Sequence, residues 1–293
     1  MAVTEESRGC ANAEYKCGKF HPQTLFCILN VRMEQLRPLL GTTLILVAHP
    51  DDEVIGFGAI MQKMQRALVV FATDGAPHDQ FFWKEYGSRQ AYAEIRRQEA
   101  KQALGLVGAE PLFLSDVVPD GIADQRLFCC LPEAADALED LLLKVAPDCL
   151  LTLSYEGGHP DHDSACFLAS VLGRRMGIPV WEGPLYHRHA DGSSAVQTFP
   201  QITGKELEFS VEESALAKKI EMFHAYKSQK LVLNGFRPER ECLRPIMEYD
   251  FTRPPLPWKL NYEHWQWSMT GPQVAKAFHA FLRSQGAGRA LSI

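Results

Sequence analysis

The sequence predicts an α/β fold: a Rossmann-like, mainly parallel sheet with helices on both faces, followed by an irregular C-terminal segment rich in proline and aromatics. Three observations predict it. Short uncharged apolar runs alternate with longer helical stretches, and the connections between them are short. The runs are β-branched and aliphatic, as strands buried on both faces require. Two of them run straight into histidines and aspartates, and open α/β sheets carry their chemistry at the carboxyl ends of strands.

Residues 1–40 read as an appendage, polar at first, with Leu25–Leu40 expected to form a short helix against the sheet edge. From Thr43 the alternation begins. Strands are expected at Thr43–Val47, Ala67–Ala72, Pro111–Leu114, Asp148–Leu153 and Pro179–Trp181, and helices at Val54–Gln65, Ser88–Leu106, Pro132–Val145 and His162–Met176. This βαβα order implies a parallel sheet covered by helices, and right-handed crossovers make a doubly wound arrangement the natural one. Beyond Trp181 the regularity weakens. Ser214–Tyr226 and Val274–Arg283 read as helices, and Phe236 to Trp267 is crowded with Pro and aromatic residues. The expected divisions are therefore an appendage at 1–40, a main domain at 41–230 and an extension at 231–293 packed on that domain.

At 46% hydrophobic and 23% charged, the 293 residues describe an ordinary soluble protein. A net charge of -6 and no basic face argue against nucleic acid. No apolar run approaches the roughly 20 residues of a membrane span, and the N-terminus lacks a signal-peptide layout. The eight cysteines show no Cys-x-x-Cys spacing; Cys10, Cys17, His21 and Cys27 form only an irregular metal-like set, so free thiols and a cytoplasmic location are expected. Homo-oligomerisation is left open.

The chemistry lies in Ala48-His49-Pro50-Asp51-Asp52-Glu53 and His159-Pro160-Asp161-His162, each following an apolar run. His49 and Asp52, three apart at a helix start, share a face and can share a metal, leaving Asp51 free to take a proton from water. With His162 they offer two nitrogens and one carboxylate. Three protein ligands with an open position mark a catalytic rather than a structural zinc site. Each motif alone also reads as turn and N-cap chemistry, but their joint occurrence at two strand ends favours a hydrolase. Glu53 suits either the orientation of His49 or the helix N-terminus, and Asp161 suits support of a ligand. Asp74 and Asp120, also after strands, suit sugar hydroxyls or turn caps equally.

These paired motifs resemble the PIG-L/LmbE-like deacetylase family, over about residues 43–230. Thr73-Asp74-Gly75, Arg96-x-x-Glu99, Leu104-Gly105, Pro119-Asp120-Gly121 and Tyr226-Lys227-Ser228-Gln229 add to the resemblance. It implies a metal-dependent enzyme removing acetyl from a small-molecule N-acetylglucosamine conjugate, with one zinc per chain or another divalent ion. Carried over, His49, Asp52 and His162 match the metal ligands, Asp51 the general base, and His159 an imidazole that protonates the leaving amine or steadies the oxyanion. Arg96 falls where the family places an arginine near the sugar or its acyl group. Two departures stand out: Gly56-Phe57-Gly58-Ala59 replaces paired glycines, and Gly157 stands where some members carry a tyrosine, leaving Tyr155 or a residue from elsewhere to serve.

The competing readings are a non-catalytic, metal-containing sugar-binding or regulatory protein and a two-metal phosphoesterase. A pure binder has no need of a free Asp51, and ligands for only one metal are seen. Gly56-x-Gly58 lacks the third glycine of a dinucleotide fingerprint, since Met61 stands there. His187-Arg188-His189 reads as an exposed loop pair. Trp258, Tyr262, Trp265 and Trp267 read as core or subunit contact before sugar stacking.

Overall fold

The structure is a computed structural model and describes residues 34–290, with side chains to 285. The helix expected from Leu25 and the cysteines Cys10, Cys17 and Cys27 fall wholly or mostly outside those residues. Residues 37–290 belong to one compact unit, which holds the sheet and the site.

Five parallel strands form the sheet's frame: β1 (Thr42–Val47), β2 (Arg66–Phe71), β3 (Glu110–Phe113), β4 (Cys149–Leu153) and β5 (Val180–Gly183). Between them run α1 (Asp52–Phe57), α2 (Arg89–Gly105), α3 (Leu131–Val145) and α4 (Pro160–Met176). The expected α/β architecture is present. Beyond β5 the chain forms a hairpin, β6 (Tyr186–Arg188) with β7 (Ser194–Val196), then β8 (Leu207–Ser210), α5 (Glu213–Ala225), α6 (Lys230–Leu233), β9 (Arg240–Pro245), α7 (Asn261–His264) and α8 (Gly271–Ala290). The spatial order is β3-β2-β1-β4-β5-β9-β8, with β9 and β8 antiparallel. Those two strands and the hairpin extend the expected architecture.

This order sets the functional geometry. β1 pairs with β2 on one side and β4 on the other, so connections leave β1 and β4 in opposite directions and open a crevice at their carboxyl ends. Both histidine motifs follow these two strands. β4 is buried at every residue, which explains its unbroken apolar run.

The first helix is shorter than Val54–Gln65. α1 ends at Phe57, and a separate 3-10 turn spans Ile60–Lys63. The break falls at the closely packed Gly58, where a Cβ would lie 2.9 Å from the Val54 carbonyl and 3.0 Å from Lys219. Lys219 is itself fully buried. Its Nζ donates to Glu241 at 2.7 Å and to the Ile55 carbonyl at 3.1 Å, while Glu241 accepts the backbone N–H groups of Ala59 and Ile60. The pair ties α5 and β9 to the interrupted helix. Removing one partner strands a charge, so Lys219→Met is expected to cost about 3–5 kcal/mol. A denaturant midpoint unchanged from the parent chain would contradict that.

The main core lies between the sheet and α3, α4 and α8. Phe167 of α4 stacks on Phe278 of α8 with ring centroids 4.4 Å apart. Phe251, Tyr155, Leu260 and Tyr262 belong to the same buried cluster as Leu44, Val70 and Leu150. Among the described residues no helix is long and apolar enough to cross a membrane, and the described cysteines are all unpaired.

Candidate metal centre

His49, Asp52, His159 and His162 meet in the crevice, all buried. His162 Nε2 lies 3.2 Å from His49 Nδ1 and 3.2 Å from an Asp52 oxygen, and His49 Nδ1 lies 3.5 Å from the other Asp52 oxygen. Ligands about 2.0–2.1 Å from a tetrahedral ion stand about 3.3 Å apart, so this triangle fits one. The donor set fits as well, being two imidazole nitrogens and a carboxylate. Burial opposes the charge of Asp52, but His162 and His49 outweigh it and hold its carboxyl far below the usual range.

The far nitrogen of His49 is committed elsewhere. Nε2 lies 3.3 Å from an Asp161 oxygen and 3.3 Å from Asp124, so its proton belongs there and the Nδ1 lone pair is left for a metal. Asp161 is fixed in turn by the N–H groups of Gln125 and Leu127. Asp124, which sequence reasoning missed, also lies 3.2 Å from His159 Nε2. His159, the N-cap of α4, accepts the Asp161 N–H on Nδ1 at 3.1 Å, which places its proton on Nε2. Burial and the neighbouring His49 lower the His159 pKa, so the ring is a neutral N–H donor near pH 7. Burial lowers the His49 pKa, but Asp124, Asp161 and Asp52 outweigh it and raise it well above 6.5. The three histidines, and His49 with His159, Asp124 and Asp161, each form a group able to hold an ion.

Asp51 occupies a backbone conformation with φ 132, costly for a residue with a side chain. Two neighbours hold it there. The Arg96 guanidinium lies 3.0 Å from its carboxylate and donates to the Pro50 and Gly75 carbonyls, and Glu53 accepts the Asp51 N–H at 3.1 Å. Gly75 must be glycine, because at φ 66 a Cβ would meet Pro50 at 2.8 Å and Arg96 at 2.9 Å. Burial pushes the Asp51 carboxyl up to about 7, with Arg96 working against the rise. Burial likewise pushes Glu53 to about 8, although the Tyr226 hydroxyl donates to it. Glu53 thus braces the helix start and makes no contact with His49.

The remaining sequence candidates scatter. Asp74 accepts from Arg89 at 2.6 Å and from the Ala76 N–H at 2.9 Å, on a groove that includes Pro50. Asp120 stays exposed on a turn with φ 63. Arg96 is buried, with its two terminal nitrogens engaged by Asp51 and the Pro50 and Gly75 carbonyls. Glu99 accepts both the N–H and the hydroxyl of Ser228, so two of the distant sequence motifs touch.

Gly157 cannot carry a tyrosine. Its φ is 71, and a Cβ would fall 2.6 Å from Leu260. Tyr155 turns away, donating to the Arg253 carbonyl at 2.7 Å. The phenol beside the metal triangle is Tyr186 on β6, its ring centroid 5.3 Å from that of His162. Its strand is held by Glu156, which accepts the Leu185 and Tyr186 N–H groups. The expectation that His187 is exposed is overturned: it is 1% exposed on the same strand, 3.5 Å from Glu156. The hairpin, absent from the sequence reading, is what buries it. Trp267 sets its ring edge-on to His159 at 4.9 Å, whereas Tyr262 is core.

A family model described as PIG-L, GlcNAc-PI de-N-acetylase, matches residues 44–171. No curated protein matches the chain. Among solved structures, a deacetylase triple mutant of the teicoplanin biosynthetic pathway is 22% identical, covering 71% of this chain and 99% of its own, with a TM-score of 0.56. The zinc-inhibited form of teicoplanin deacetylase is 20% identical, with coverages of 71% and 99% and a TM-score of 0.54. An antimicrobial pseudoaglycone deacetylase is 21% identical, with coverages of 71% and 98% and a TM-score of 0.53. These likenesses establish a shared fold. Both histidine motifs and the crevice between β1 and β4 fall inside the matched stretch, and residues 44–171 are a PIG-L family domain.

Proposed function

We propose that the protein is a metal-dependent N-deacetylase acting on a small N-acetylglucosamine-type conjugate. One observation carries the reading: a buried His49–Asp52–His162 triangle of metal-fitting dimensions with Asp51, a carboxylate near pKa 7, held beside it. A divalent ion there, zinc by its donor set, would polarise an amide carbonyl and lower the pKa of water. Asp51 takes the proton of the attacking water, a task for which a pKa near the working pH is best. His159, whose Nε2–H meets Asp124 in the resting site, is proposed to turn that N–H to the developing oxyanion, with Tyr186 beside it as a second donor. The departing amine receives its proton from Asp51. Asp74 and Asp120 remain proposed contacts of the sugar, with 41–230 as the catalytic domain and 231–293 as its extension.

Arg96 is proposed to serve the substrate through Asp51. Arg96→Ala is expected to leave the metal bound and lower kcat. Losing the cation that restrains the Asp51 carboxyl also moves the acidic limb of the pH–rate profile, where Asp51 must lose its proton, to higher pH. A change confined to KM would return Arg96 to direct sugar contact.

The deciding experiment is an assay for acetate and free amine across N-acetylglucosamine conjugates, with defined metals added through and beyond one equivalent. The last range matters because one structural neighbour is described as zinc-inhibited. Metal binding without release of amine from any conjugate would favour the sugar-binding or regulatory reading.

A further inference from the structure

The metal triangle uses one side of the His49 ring. On the other side a second set of donors converges, and it includes neither Asp52 nor His162. His49 Nε2 lies 3.3 Å from Asp124 Oδ1 and 3.3 Å from Asp161 Oδ2, and His159 Nε2 lies 3.2 Å from the same Asp124 oxygen. These lengths again suit the edges of a tetrahedral ion. The group offers two imidazole nitrogens and two carboxylates, all buried.

Hydrogen bonding does not account for this arrangement. Asp124 Oδ1 is enclosed and close to two ring nitrogens, yet it makes an aligned hydrogen bond with neither. A buried carboxylate oxygen left in that state is costly, and a cation between the three atoms would satisfy it. Asp161 is better provided, since it accepts the N–H groups of Gln125 and Leu127 and so backs the set from a fixed position. Charge points the same way. Three carboxylates face the His49 ring, Asp52 at Nδ1 and Asp124 and Asp161 at Nε2. Arg96 pairs with Asp51 and offsets none of them. One divalent ion in the triangle offsets two of the three negative charges and leaves one.

We propose that Asp124, His159 and the Nε2 side of His49, backed by Asp161, form a second, weaker site for a divalent ion of zinc's class, and that filling it stops catalysis. Imidazole and carboxylate donors suit zinc. The site is the weaker one because its ion must displace the His49 Nε2 proton and stand near a first dication, so it fills only when zinc exceeds one equivalent. Ions on opposite sides of one ring cannot share a water as pairs about 3.5–4 Å apart do, so the second ion adds no two-metal chemistry. Instead it occupies His159 Nε2, the nitrogen proposed to serve the oxyanion. The inhibition rests on the deacetylase reading; the site itself does not.

Binding is measured first, without turnover, by titrating the metal-free chain with zinc against a chromophoric chelator. The parent is expected to take two ions in separate steps. Asp124→Asn and His159→Gln each remove a donor from the second set and none from the triangle. Each should keep the first ion, which also shows that the variant has folded. Each should weaken the second by more than about tenfold, because even outer partners of a metal site are worth about 10–100-fold. A parent chain that takes one ion only, or a second step untouched by both changes, overturns the site. Amine release from an N-acetylglucosamine conjugate is then followed across the same zinc range. The parent rate is expected to fall with its midpoint at the second binding step, while the residual rate of Asp124→Asn holds over that range. A second ion bound without loss of rate overturns the inhibition. If no conjugate is cleaved even at one equivalent, the deacetylase reading fails and the inhibition falls with it, while the titration still judges the site.

Discussion

Asp51→Asn is expected to keep the metal and lower kcat by about 10²–10⁴-fold, the range for losing general acid–base help. Asparagine keeps the size of the side chain and a group for Arg96 to meet, so the strained turn survives. What it cannot do is accept a proton. The metal triangle is built without Asp51: its three edges join only His49, Asp52 and His162. Metal content measured beside kcat separates the outcomes. An emptied site would make Asp51 a ligand, and full rate with full metal would place the base elsewhere and end the mechanism proposed here.

The largest effect on metal is expected from His162→Ala, with His49→Ala and Asp52→Ala close behind. Each removes one of three donors, and each is expected to take metal content by elemental analysis from about one ion per chain to near none. His162 is singled out because it brings α4, and with it β4, to the site, whereas His49 and Asp52 come from a single turn. Full zinc in all three variants would dismantle the assignment. Retention in His49→Ala alone would point to the group of His159, Asp124 and Asp161 as the true holder.

Much of this site was legible in the sequence because its residues sit in two four-residue motifs, His49–Asp52 and His159–His162, each following a strand whose apolar run is unmistakable. Asp124 was not legible. It stands in an irregular loop with no motif of its own, four residues beyond Asp120 of the Pro-Asp-Gly turn, and only the folding of that loop against α4 brings it between two histidines. Tyr186 and His187 were hidden for a similar reason. Their strand is three residues long, too short for an alternating pattern to show. β9 carries charges at half its positions and β8 is only four residues long, which masks them as strands, and a short β8 suits the sheet edge it forms. Arg96 was placed correctly on its helix, but nothing in its spacing reveals that it clamps the Asp51 loop.

The stacking of Phe167 against Phe278 bears on what counts as the smallest piece of this protein able to exist alone. The stretch that matches the family ends at residue 171, yet the inner face of its last helix is completed by rings about a hundred positions further on. Cut before Gly271, the chain would leave Phe167 and the neighbouring strand residues facing water. Such a fragment is expected to bind hydrophobic dyes, lose its near-ultraviolet signal and aggregate, whatever catalytic residues it retains. Here the unit of ancestry is smaller than the unit of folding, and any transplant of the chemistry into another scaffold must carry the closing helix along.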